Sequence, residues 1–179
     1  MKNKHYKKPV MYVVDLILLG LLIFLDQWFK QLAVTKLQGK EAYSLIEGAL
    51  ELDYLENRGS AFGMLQNQKV LILFVSVIFM AVILFMLIKL PDHNKFIPSH
   101  VFFSMIIAGG VGNMIDRIRF DYVIDYISFI LIHYPIFNFA DICVVLGVIG
   151  LVILFLFVYK EKDLEFLNFK HTKYREIDS

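Results

Sequence analysis

Between Val70 and Ile88 the chain reads VLILFVSVIFMAVILFMLI, a run of nineteen residues with no charge, no glycine and no proline. As a helix rising 1.5 Å per residue, a run of about that length crosses the roughly 30 Å hydrocarbon layer of a bilayer. The composition agrees. Of 179 residues, 58% are hydrophobic and only 20% charged, 17 are phenylalanine, and the mean hydropathy is +0.63. That is more apolar surface than one water-soluble core of this size hides, so lipid is the natural solvent of the chain. The net charge of +1 leaves no basic stripe for a nucleic-acid partner. A single cysteine, Cys143, excludes an intramolecular disulfide framework and a cysteine-based metal cluster.

Working outward from Val70–Ile88, three more apolar segments read as spans: approximately Val10–Leu25, Phe96–Ile115 and Ile142–Tyr159. Asp15 interrupts the first close to its start, where its carboxylate is expected to reach the headgroup region. No small-x-small cleavage site follows Leu25, so this segment is expected to be a retained helix and not a removed leader. Lys2, Lys4, Lys7 and Lys8 precede it without an opposing acid, and the positive-inside bias then puts the N-terminus in the cytoplasm. Counting spans from there places loops 31–68 and 116–141 outside, the turn at Lys89–Lys95 inside and the tail 160–179 inside. Within the first outer loop, Leu50-Glu51-Leu52-Asp53-Tyr54 alternates apolar and polar side chains, the pattern of a strand with one greasy face. The expectation is an all-α membrane protein, a bundle of four transmembrane helices with a small extracytoplasmic β-sheet, forming one domain over residues 1–179.

Carboxylates are costly inside a bilayer, so their placement is informative. Asp26, Asp116 and Asp141 each fall at the outer end of a span, and Asp125 lies in the loop that joins two of them. Asn57, Asn113 and Asn138 fall at the same level. Taken singly, each has a plain structural explanation. A lone Asp at a helix mouth is commonly a cap or a solvated end, and the i, i+3 pairs Asn113/Asp116 and Asn138/Asp141 also serve as helix-to-helix glue. Gly109, Gly110 and Gly112 suit close helix packing as readily as a substrate groove. Taken together they point to chemistry, because two carboxylates brought close in a partly dehydrated site cannot both ionise comfortably. One holds the proton. The ionised partner can then activate a water molecule while the neutral one polarises a carbonyl, with no metal or cofactor needed. A small transporter using the outer-face acids is the alternative, but no acid except Asp15 lies along the inner half of any span. A non-catalytic scaffold is a third reading.

Five motifs run in order along the chain: Asp26-Gln27-Trp28-Phe29-Lys30, Asn57-Arg58-Gly59-Ser60-Ala61-Phe62-Gly63, Gly109-Gly110-Val111-Gly112-Asn113-Met114-Ile115-Asp116-Arg117, Val123-Ile124-Asp125-Tyr126-Ile127 and Phe137-Asn138-Phe139-Ala140-Asp141. Over almost its whole length the chain closely resembles the lipoprotein signal peptidases, the type II prolipoprotein enzymes of bacteria. The resemblance implies an intramembrane aspartyl endopeptidase of the cytoplasmic membrane that cuts prolipoproteins just before a diacylglyceryl-modified cysteine. It implies Asp125 and Asp141 as the catalytic dyad. Asp26, Lys30, Asn57, Gly59, Asn113, Asp116, Arg117, Asn138 and Ala140 would support or line the site, with Asn113 and Arg117 touching substrate or a globomycin-like cyclic peptide. The expected partners are lipidated precursors and membrane lipids, without metal or cofactor, and the expected state is a monomer. The chain departs from the commonest family pattern at Ser60, at Tyr126 where Phe or Met is more frequent, and at His133-Tyr134, in a somewhat short segment before Asp141.

Overall fold

A computed structural model describes residues 5–59, 68–132 and 134–167. Ser60 to Gly63 of the second motif, His133 and the end of the tail lie outside the described residues. In chain order the elements are α1 (Lys8–Leu37), β1 (Tyr43–Ile46), β2 (Leu50–Asn57), α2 (Lys69–Lys89), α3 (Ile97–Phe120), β3 (Val123–Phe129) and α4 (Phe139–Ile153). A π-helical turn, Leu154–Val158, prolongs α4. All four helices are long and apolar enough to cross a membrane, and the three strands form one antiparallel sheet in the order β1-β2-β3. The helical membrane architecture with its small sheet is the one expected from the sequence.

The first helix carries Pro9 in its first turn, where the fixed φ and missing N–H are tolerated. Its 30 residues make it about 45 Å long, longer than a bilayer core is thick. The hydrophobic run ends near Leu25, yet the helix goes on for roughly three further turns. Two features carry it past the polar cluster. Asp26 and Lys30 are neighbours at i, i+4 and neutralise one another. Beyond them Phe29, Ala33, Val34 and Leu37 form an apolar stripe that packs under the sheet against Leu52, Tyr54, Ile124 and Tyr126. The greasy face of β2 therefore rests on the end of α1.

The third helix is central and touches the other three. It continues past Ile115 to Phe120, so Asp116 lies inside the helix and not at its mouth. Its glycines allow the approach. A Cβ on Gly109 would strike the carbonyl oxygen of Ala140 on α4, and one on Gly112 would strike the Asp26 carboxylate on α1. Further along the α3–α4 contact, a Cβ on Gly147 would stand 2.6 Å from Ile106 Cγ1 and 2.8 Å from the Phe102 carbonyl oxygen. The fourth helix begins at Phe139 rather than Ile142 because Asn138 caps it. Asn138 Oδ1 accepts the Asp141 N–H at 3.0 Å, and Asp141 Oδ2 accepts the Asn138 N–H at 3.1 Å, a reciprocal capping box.

At the end of the bundle remote from the sheet, Asp15 turns inward to a protein partner, in place of the expected reach toward the headgroups. It is buried, and its Oδ2 lies 2.7 Å from His100 Nδ1 on α3. His100 Nε2 is 2.8 Å from the Tyr6 hydroxyl, which donates to the Pro91 carbonyl at 2.6 Å. An acid within a span is expensive unless paired, and here the partner comes from 85 residues away. In the tail, Glu161–Leu167 forms a short 3-10 segment held by the Lys95–Asp163 ion pair and by Phe166 against Phe96.

Two glycines give opposite expectations. Gly147→Ala forces α3 and α4 apart and lowers stability by about 1–3 kcal/mol. Gly20→Ala meets nothing within 4 Å and raises stability by about 0.5–1 kcal/mol through helix propensity alone. Melting curves in one detergent compare the two, and equal shifts would contradict the packing assigned to Gly147.

Candidate active site

Lys30 is the most deeply buried cation of the site, 1% exposed. An isolated ammonium in such surroundings loses its hydration, and an amine has three protons to place. All three find acceptors: Asp26 Oδ2, Asp116 Oδ2 and Asn113 Oδ1, each at 2.9 Å. The carboxylates are satisfied in turn. Gln27 Nε2 donates to Asp26 Oδ2 at 3.1 Å and to Asp116 Oδ1 at 3.0 Å. The Ala140 N–H donates to Asp26 Oδ1 at 3.1 Å, and the Ile124 N–H to Asp116 Oδ2 at 3.2 Å. This cluster thus joins α1, α3, β3 and the start of α4.

From the cluster the bonding passes directly to the two acids. Asn113 accepts from Lys30 and donates through Nδ2 to Asp141 Oδ1 at 2.8 Å. Asn138 Nδ2 donates to Asp125 Oδ1 at 2.6 Å and to Asn113 Oδ1 at 3.2 Å. Asn57 Nδ2, at the end of β2, donates to Asp125 Oδ2 at 2.9 Å. Each carboxylate oxygen of Asp125 and Asp141 therefore receives a hydrogen bond, the fourth coming from the Asn138 N–H to Asp141 Oδ2. β3 carries Asp125 because its backbone pairs on both sides: Leu55 opposes Asp125 in β2, and Ile127 bridges Phe137 just ahead of α4.

Asp125, Asp141, Asn57, Asn113 and Arg117 line a single cavity of about 760 Å³. Its remaining wall is largely apolar and includes Phe79 and Met80 of α2, Ile106 of α3 and Val144 of α4. Arg117 reaches across it, donating from Nη2 to the Gly59 carbonyl at 3.0 Å and from Nη1 to its own helix at the Asn113 carbonyl. The Gly59 N–H closes that corner on Asn57 Oδ1 at 2.9 Å. Asp26, Lys30, Asp116, Asn138 and Ala140 lie behind this surface. The residues singled out in the sequence thus divide into a lining and its support.

Asp125 is 2% exposed. Its carboxyl is pushed up from the ordinary 3.8 to about 7, first by burial and then by the negative charge of Asp141; the Asn57 and Asn138 amides and Lys30 oppose the rise. A carboxyl of that kind keeps its proton near neutral pH and can donate it. Gln27, the amide that couples Asp26 to Asp116, was not among the residues singled out, although it stands inside the quoted Asp26–Lys30 motif. The α2 wall of the cavity carried no signal at all, since Phe79 and Met80 belong to an unbroken apolar run.

Removing the cation leaves two buried carboxylates facing each other. Lys30→Met is expected to lower stability by about 3–5 kcal/mol, read as a large fall in melting temperature in detergent, and a melting curve superposable on that of the parent would contradict the cluster's role.

Comparison with known proteins shows the family to which the chain belongs. The family model described as signal peptidase (SPase) II matches residues 18–157. Proteins named lipoprotein signal peptidase match over most of their own length: 38% identity over 143 residues in Caldanaerobacter subterraneus subsp. tengcongensis, covering 79% of this chain and 95% of that protein. In Enterococcus faecalis the figures are 39% over 137 residues, 76% and 84%, and in Streptococcus pyogenes serotype M5 37% over 156 residues, 87% and 97%. Two solved structures of bacterial membrane enzymes superpose with TM-scores of 0.76 and 0.73, each at 25% identity, covering 87% and 89% of this chain and 93% and 99% of theirs. None of these matches is a transporter, and all of them converge on one assignment: the chain is a multi-pass bacterial membrane protease belonging to the signal peptidase II family.

Proposed function

We propose that the chain is an aspartyl endopeptidase that removes the signal peptide from prolipoproteins by cutting before a cysteine bearing a diacylglyceryl group. The observation that carries the reading is the pair of asparagines, Asn113 and Asn138, that ties both Asp125 and Asp141 to one hydrogen-bonded unit at the wall of one cavity.

Asp141 sits in the first turn of α4, where the helix dipole and two donors favour a negative charge. Asp125 is the partner whose burial keeps it protonated up to about pH 7. Asp141 takes a proton from water, the hydroxide adds to the scissile carbonyl carbon, and Asp125 gives its proton to the carbonyl oxygen. The tetrahedral intermediate collapses when Asp141 returns its proton to the amide nitrogen. The C–N bond breaks, the cysteine leaves with a free amine, and Asp125 recovers a proton from the diol. The apolar cavity wall suits the signal sequence and the acyl chains, which hold the cysteine at the membrane surface. All groups used belong to one chain, which supports a monomeric enzyme. A globomycin-like cyclic peptide would compete for the same cavity. Lys2, Lys4, Lys7 and Lys8, ahead of the first apolar run, support a cytoplasmic N-terminus; the sheet and the dyad would then open to the extracytoplasmic side.

The test is incubation of the purified protein with a diacylglyceryl-modified precursor and with its unmodified counterpart, followed by mass spectrometry. Cleavage of the modified form alone, at the bond before the cysteine, is expected. Asp125→Asn and Asp141→Asn should each reduce that rate by about a hundred- to ten-thousandfold while the protein still folds. Turnover at the parental rate by both variants would remove the dyad.

A second expectation concerns pH. Because the Asp125 carboxyl is raised in the folded state, its ionisation costs stability that is intact below about pH 4 and is lost progressively as the pH climbs toward about 7. Turnover should therefore decline above about pH 7 as this proton leaves. Asp125→Asn, which cannot ionise, should gain in melting temperature relative to the parent at pH 8 more than at pH 5. Equal differences at the two pH values would contradict the raised carboxyl.

A further inference from the structure

The first turn of any helix leaves backbone N–H groups without an intrahelical acceptor. In α4 this turn carries Asp141 and is half-buried at Phe139 and Asp141 and fully buried at Ala140, so these groups are served by partners placed by the fold. The three donors find three different sources. The Asp141 N–H goes to Asn138, its own cap, at 3.0 Å. The Ala140 N–H goes to Asp26 of α1 at 3.1 Å. The Phe139 N–H goes to the hydroxyl oxygen of Tyr126 on β3 at 3.3 Å.

The third of these differs from the others in what it connects. Tyr126 directly follows Asp125 in β3, and Phe139 stands two residues before Asp141. The same stretch is already stitched by main-chain bonds: the Tyr126 and Ile127 N–H groups both donate to the Phe137 carbonyl, at 3.0 and 2.8 Å, and the Phe137 N–H returns to the Ile127 carbonyl at 3.0 Å. Those bonds fix the chain ahead of the helix. Only the Tyr126 hydroxyl reaches the helix itself. Tyr126 is 8% exposed and is absent from the cavity lining, so it lies behind the two acids with no access to substrate.

We infer that Tyr126 is a positioning residue whose hydroxyl links the strand bearing Asp125 to the helix start bearing Asp141 and so sets the distance between the two carboxyls. This rests on the reading of Asp125 and Asp141 as the reacting pair. A phenylalanine here keeps the ring packed against α1 and loses only the link. The reach between two acids that must share one proton and one water is then held by the asparagines and by the main-chain bonds at Phe137, without a tie from β3 into the first turn of α4, and the chemical step slows while the cavity that receives substrate is unchanged.

The experiment is Tyr126→Phe in the full-length purified protein, assayed on the diacylglyceryl-modified precursor, with Tyr12→Phe as the control. Tyr12 donates to the Ile88 carbonyl at the opposite end of the bundle. For Tyr126→Phe we expect kcat to fall about 3- to 10-fold with KM within about twofold, and the pH dependence of kcat to be displaced, since the shared proton is sensitive to the separation of the carboxyls. Tyr12→Phe should leave kcat and its pH dependence unchanged. Parental kcat and pH dependence in Tyr126→Phe would overturn the inference, as would a fall in kcat accompanied by an equal rise in KM. Hydrogen exchange of the Phe139 amide in the parent protein reads the same link without any substitution, and exchange at the rate of an unprotected amide would also overturn it. Failure here with Asp125→Asn and Asp141→Asn inactive would reject only the role of Tyr126; activity in both Asn variants would reject the dyad itself.

Discussion

The rest of the site depends on the burial of one ammonium group. Lys30 is shut away from solvent and surrounded by two carboxylates and an amide oxygen. Surface ion pairs add little, but a buried charge with a wrong or missing partner is strongly unfavourable. That asymmetry makes Lys30 a register pin. With Asp26 on its own helix and Asp116 and Asn113 on α3, the two helices cannot slide or rotate past one another without stranding a charge. The small side of α3 at Gly112 is where the Asp26 carboxylate fits. Because Asn113 Oδ1 is committed to Lys30, its amide nitrogen must point the other way, toward Asp141. An electrostatic constraint within the support thus orients a hydrogen-bond donor at the Asp141 carboxylate.

The length of α1 turns that constraint into a placement along the membrane normal. A helix of about 45 Å outlasts the hydrocarbon layer by several turns. The surplus carries Phe29, Ala33, Val34 and Leu37 as a shelf for the sheet. β3, resting on that shelf, delivers Asp125 to the same end of the bundle at which α4 begins with Asp141. The acids come from a strand and a helix start that are 16 residues apart in the chain yet share hydrogen bonds with the same asparagine. Neither element would be stable alone at that depth: the strand needs β2 and the bridge to Phe137, and the helix start needs the outside acceptors for its N–H groups.

Much of this was legible in the sequence, and the exceptions have physical reasons. The uncharged run at Val70–Ile88 announced a span because lipid imposes length and hydropathy together, and the alternation at Leu50–Tyr54 announced a strand because one face of it is covered. The end of α1 is not local information: Asp26 and Lys30 read singly are an exit to water, whereas their neutralisation by each other and by Asp116 lets the helix continue past them. The pairing of Asp15 is not legible because its partner, His100, is remote in sequence and carries no local signature. β3 gave no alternation because its first four residues, Val123 to Tyr126, are all buried, Asp125 among them. The cavity wall on α2 was illegible because an apolar side chain facing a cleft and one facing lipid look the same in the sequence. Polar residues at the site were easier to find for the opposite reason: in an apolar chain each one has to be accounted for.

The two carboxyls differ less in kind than in what surrounds them. Asp141 stands at the positive end of a helix dipole, with a backbone N–H and an asparagine amide turned toward it, an arrangement that favours charge. Asp125 stands in the middle of a buried strand, with amides on both oxygens but with burial and the neighbouring charge outweighing them, so that its proton is held to about pH 7. On the proposed reading, identical side chains in such unlike surroundings take the roles of base and acid without any other group. The separation would vanish if both acids sat on helix starts, or if the strand were solvated. On that reading the sheet is part of the proposed chemistry as well as of the scaffold: by burying Asp125 it would supply the neutral half of the pair, and the long first helix is what holds the sheet where that burial occurs.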